Sequence, residues 1–188
     1  MPWRGLCFGD ANLYLTVSDP PAFSIMLSAC HINLGDYESG LAALEPLNDS
    51  SVTLSTDLRA LVENNLALAL LLRDFNTAQR DKSLARAVAL LDHAYQTYPC
   101  VLTYRTSRAL LLAATNRSQD ALALLEYTNY ARGSQDDRAN HQLARAFALR
   151  RLNRNEEAEQ ALAAGLKLSK KQLPWLTTIG LTPATAKR

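Results

Sequence analysis

The sequence predicts an all-α protein built as a stack of about four antiparallel helix pairs, and three observations carry that expectation. Ala and Leu dominate over Val and Ile among the 48% of residues that are hydrophobic, with only seven Gly and seven Pro, a balance that favours helices over sheets. Three segments repeat one pattern, a turn and then an amphipathic helix: Leu34 to Glu45, Asn116 to Glu126 and Asn153 to Leu162, with a fourth copy, Lys82 to Tyr95, behind a longer lead-in. The aligned small residues Gly40, Ala87, Ala121 and Ala158 stand 47, 34 and 37 residues apart. The chain's 188 residues are enough to bury a continuous core without a disulfide or structural metal.

In the first unit, Ala22 to Leu34 is apolar at helical spacing, the turn falls at Gly35 and Asp36, and Pro46 sits inside the second helix. The second unit pairs Thr56 to Arg73 with Lys82 to Tyr95, and its turn carries about eight extra residues, Asp74 to Asp81, an added contact or a tolerated loop. The third unit runs from Leu102 to Thr115, where Leu110, Ala113 and Ala114 form a stripe, and crosses a turn to Ala121, Leu122, Leu124 and Leu125. Asp137 to Leu152 begins the fourth. Small residues face one another within each pair: Ser28, Ala67, Ala109 and Ala146 on the first helices match Gly40, Ala87, Ala121 and Ala158 on the second. A Leu there would pry the helices apart at an overpacking cost of ~1–3 kcal/mol. Residues 1–21, with Trp3, Phe8, Tyr14 and the Asp19-Pro20-Pro21 stop, are a cap on the first hairpin or the remnant of an upstream repeat. The units fill 22–170. Residues 171–188 are a C-terminal cap and tail, with a short helix expected from Pro174 to cover the last hairpin.

Asn64-Asn65-Leu66-Ala67, Ala94 to Pro99 with its helix-ending proline, the turn Leu34-Gly35-Asp36-Tyr37 and the 34-residue middle spacing are similar to the tetratricopeptide repeat family over residues 22–170. The chain departs from the family at Ser24 and Arg105, where a bulky aromatic often stands, and at Pro46. The resemblance implies a right-handed α-solenoid, a TPR-like superhelix whose concave wall is lined by the first helix of each pair and receives a peptide segment of a partner. Projected in that register, Ile25, Ala29 and Ile32 line the wall in unit one, Asn64, Leu68 and Leu71 in unit two, Thr106, Leu110 and Ala113 in unit three, and Leu143, Phe147 and Arg150 in unit four. Some members hold a C-terminal carboxylate with Lys, Asn and Arg; only Asn65 matches here, with Ile25 and Ala29 in the other places, which argues against that mode. A mainly apolar wall with an Arg at one end suits an amphipathic helix or an extended hydrophobic segment. The same residues also read as core, buried against the chain's own termini.

The formal net charge of +2 gives no general affinity for nucleic acid or anionic membrane. Cys7, Cys30 and Cys100, odd in number and widely spaced, read as free thiols of a reducing compartment; with no signal-peptide pattern and no run near ~18 apolar residues, a cytoplasmic protein is expected. No nucleophile elbow, phosphate loop or zinc motif appears, so no cofactor, metal or catalytic residue is assigned. Cys30-His31 points its side chains about 100° apart along a helix and reads as packing. His93 and His141 read as surface or groove residues, and Glu156-Glu157 as a helix start favoured by the dipole. Arg145, Arg150, Arg151 and Arg154 form a solvated face or an anion site. The expected function is protein–protein interaction, as adaptor or secretion-type chaperone, without enzymatic activity. The alternative is an assembly or regulatory subunit that docks on an enzyme or on another copy through Leu173 to Leu181.

Overall fold

A computed structural model describes residues 20–169 and 173–182, so the expected N-terminal cap up to residue 19 and the tail beyond 182 lie outside the described residues. Those residues are all-helical, with helices packed in adjacent pairs. The first pair is α1 (Pro20–Leu34) and α2 (Tyr37–Leu44), the second α3 (Thr56–Asp74) and α4 (Arg80–Thr97), the third α5 (Leu102–Ala114) and α6 (Ser118–Glu126), and the fourth α7 (Gln135–Arg151) and α8 (Asn155–Leu168); a short α9 (Pro174–Thr178) follows. Helix α2 stops two residues before Pro46, which therefore lies outside it and not within it as expected, and the chain continues as one 3₁₀ stretch, Glu45–Asn48.

Local chemistry fixes where the helices start and stop. Ser55 caps α3 by accepting a hydrogen bond from the Leu58 amide at 3.3 Å, and Asp36 caps α2 by accepting from Ser39 at 3.1 Å. At α7 the capping is reciprocal: the Ser134 hydroxyl accepts from the Asp137 amide and the Asp137 carboxylate accepts from the Ser134 amide. Three turns between paired helices are built alike. Gly35, Asn116 and Asn153 all take left-handed backbone angles, with φ of 83°, 64° and 60°. The next residue's amide then returns to the carbonyl five positions back: Asp36 to His31, Arg117 to Leu112 and Arg154 to Leu149. Asparagine tolerates this region better than most residues, so two turns manage without glycine.

The small residues sit where close packing needs them. Ala67, Ala87, Ala109, Ala121, Ala146 and Ala158 are fully buried, as is Ser28 opposite Gly40. A Cβ placed on Gly40 would lie 2.9 Å from Ile32 Cγ1, closer than side chains approach. One continuous core results, running from Leu44 and Leu66 through Leu91, Leu111 and Leu125 to Leu149 and Leu162. Helices α1, α3, α5 and α7 each touch the next of the four, so they stand side by side.

Two segments outside the periodic pattern take positions the sequence did not indicate. The loop Phe75–Gln79 is an added contact: the Phe75 ring meets Phe147 of α7 edge to face at 5.9 Å, and Asn76 donates to the Thr178 carbonyl at 2.7 Å. The expectation that the C-terminal segment covers the last hairpin gives way to a different arrangement. Helix α9 starts at Pro174 as expected but packs against α1, with the Tyr37 and Thr178 hydroxyls 3.2 Å apart. Trp175, Leu176, Ile179 and Leu181 are buried there and belong to the main core.

Candidate functional site

Among the described residues, the face formed by the odd-numbered helices holds a cavity of about 130 Å³. Ala29, Ile32 and Asn33 of α1, Asn64, Asn65, Leu68 and Leu72 of α3, and Thr103, Thr106, Ser107 and Leu110 of α5 line it. Helix α7 closes one side with Asp136, Asp137, Ala139 and Asn140, and Ser169, Leu173 and Trp175 complete the wall. Apolar and small polar side chains share the lining with the carboxylates Asp136 and Asp137.

Of the twelve expected groove residues, the structure brings Ala29, Ile32, Asn64, Leu68, Thr106 and Leu110 together on this cavity. Ile25, Leu71, Ala113, Leu143 and Phe147 are corrected to core, each no more than 2% exposed. The reason is specific at α7. Leu143 lies against the backbone of Gly165, and Phe147 is covered by Phe75 from a loop whose course no periodicity encodes. Arg150 pairs with Glu159 of α8 and leaves the wall as well. Helix α7 therefore contributes its first two turns, not its middle. Asn65, Asp136, Asp137, Asn140, Leu173 and Trp175 were missed as lining. The signal available for Asn65 was an amide doublet directly before the apolar run Leu66 to Leu72.

That doublet is the chemically distinctive part of the wall. Asn64 and Asn65 are both buried, and the Asn64 Nδ2 donates to Asn65 Oδ1 at 3.1 Å. Asn64 Oδ1 and Asn65 Nδ2 have no partner among the described residues. Exchanging oxygen and nitrogen in both carboxamides leaves the same inventory, one free acceptor and one free donor side by side. A buried polar group without any partner costs about 1–3 kcal/mol, so these two atoms call for a partner that the chain's own described residues do not supply. The carboxylates nearby are committed elsewhere. Asp137 caps α7 and accepts from the Thr103 hydroxyl at 3.1 Å, and Glu63 meets His93 Nδ1 at 2.7 Å.

The other candidates resolve into structural roles. His31 turns to Asp36, 3.1 Å away. His141, expected at the surface or groove, is buried with its ring stacked on Tyr130 at a centroid distance of 4.0 Å. Burial, then the nearby Arg145 charge, push its imidazole down to about 4. Arg154 grips Glu157 with two hydrogen bonds at 2.7 and 2.6 Å, which hold that carboxyl below its usual range, and Arg151 donates to Asn116. Three of the four clustered arginines are thus spent within the fold. No helix among the described residues is long and apolar enough to cross a membrane. Comparison with protein-family models, with curated proteins and with solved structures found no match to this chain.

Proposed function

We propose that the chain is a protein-interaction module of the tetratricopeptide-like kind, a right-handed solenoid of four hairpins whose inner face takes a peptide segment of a partner, with no catalytic reaction of its own. The observation that carries this reading is the carboxamide pair on the cavity wall. A peptide unit offers one N–H and one C=O. Those two groups complement the free acceptor of Asn64 and the free donor of Asn65, while Leu68, Leu72 and Leu110 supply an apolar bed for the flanking side chains. A partner that binds this way recovers the hydrogen bonds the folded chain forgoes. The role is that of an adaptor or a chaperone acting in the cytoplasm.

The test is a double substitution, Asn64→Leu with Asn65→Leu. Replacing both members of a buried polar pair by apolar groups of similar shape is near neutral for folding. The variant is expected to unfold in urea at or above the wild-type midpoint, yet to lose a protein that the tagged wild-type chain retains from a cytoplasmic extract. Equal capture by both chains would refute the cavity as the binding site. A variant that folds poorly would show the amides to be structural.

A further inference from the structure

The face proposed to receive a partner already carries a short helix of its own. Leu173 and Trp175 form part of the cavity wall alongside the Asn64 and Asn65 carboxamides. Leu176, Ile179 and Leu181 continue into the core, so the segment presents an aromatic and three aliphatic anchors within the seven residues from Trp175 to Leu181. Helix α9 spans only five residues, too short to hold its shape without the surface beneath it. Among the described residues, the Tyr37–Thr178 hydroxyl pair at 3.2 Å and the Asn76 amide on the Thr178 carbonyl at 2.7 Å tie it down, and Pro174 packs against Gly35, where a Cβ would lie 3.3 Å away. A short amphipathic helix held on a helical face by apolar anchors is the physical description of a bound peptide.

Resting on the functional reading above, we propose that residues Leu173 to Leu181 are an intramolecular ligand of the inner face, and that the partner presents the same chemistry, a short helix with an aromatic anchor followed by aliphatic ones, which takes this segment's place. Tethering holds the internal segment at a high effective concentration, so the wild-type chain binds a competitor weakly. A competitor's apparent affinity falls by the fraction of molecules in which the face is free, and weakening the internal segment raises it.

The probe is a fluorescently labelled synthetic peptide of residues 173–182, titrated by anisotropy into the full chain. Trp175→Ala and Ile179→Ala weaken the internal copy and leave the peptide's own anchors intact. Each variant chain is expected to bind the peptide at least tenfold more tightly than wild type, while a peptide carrying Trp175→Ala binds none of them. Variants that keep wild-type helicity and gain no affinity would overturn the proposal. So would loss of the helical fold in both variants, which would make the segment indispensable core. Wild-type dimers that dissociate in Trp175→Ala would place the segment on a second copy and equally overturn the intramolecular assignment. The titration reads self-occupancy of the face whether or not a partner uses it. Capture by the Asn64/Asn65 double variant reads partner binding whether or not the segment lets go, so the two readings fail separately.

Discussion

His141 makes the fold's stability depend on pH in a way that can be worked through in advance. Its ring is 3% exposed, stacked on Tyr130, and its Nδ1 has no partner among the described residues. Burial first, then the Arg145 charge, bring its pKa from the ordinary 6.5 down to about 4. The unfolded chain therefore takes up a proton before the folded one does. Stability from this group is constant above about pH 6.5, falls as pH drops toward 4, and levels off below that. Linkage gives a loss of about 2 kcal/mol between pH 7.5 and pH 5, and about 3 kcal/mol in all. For a chain of this length 2 kcal/mol corresponds to a fall in melting temperature of roughly 4–8 °C. Urea unfolding at the two pH values, on wild type and on His141→Phe, isolates the effect. Phenylalanine keeps a ring against Tyr130 and cannot titrate, so wild type should lose about 2 kcal/mol more than the variant over that interval. Parallel changes in the two proteins would refute the assignment. Asp74, held below its usual range first by Arg73 and also by Ser83, contributes stability lost only below about pH 4, outside this window.

Two further outcomes follow from packing. Phe147→Asp places a carboxylate where the native ring is 2% exposed and meets Phe75, so a thermal melt followed by circular dichroism should show the cooperative transition weakened or lost, as expected of a core position. Gly165→Val puts a Cβ 2.7 Å from Leu143 and 3.2 Å from the Ala139 carbonyl; an overpacking loss of ~1–3 kcal/mol is expected in urea unfolding, and a neutral result would mean that α7 and α8 separate easily.

What the sequence revealed and what it hid divide along a physical line. Helix limits were legible because they depend on local chemistry: the expected Thr56 to Arg73 appears as Thr56–Asp74, and Leu102 to Thr115 as Leu102–Ala114. Close contacts at Gly40, Ala87, Ala121 and Ala158 were legible because only small residues fit between two helices that near. The cavity was half legible. Ala29, Asn64, Leu68, Thr106 and Leu110 follow from the periodicity of single helices, whereas the burial of Phe147 depends on Phe75 arriving from a loop. The position of α9 was hidden for the same reason. Apolar spacing says that Trp175, Leu176 and Ile179 need a surface, but not which one.

The tie between α9 and α1 also bears on how the chain comes apart. A stack of hairpins in which each touches only its neighbours opens from its ends, because an end unit has one interface where a central unit has two. Here Tyr37 and Thr178 meet across 141 residues of sequence. The first described hairpin thereby gains a second neighbour, supplied by the far end of the described chain. Opening of the first described hairpin therefore requires release of α9, so the tie couples two segments far apart in the sequence.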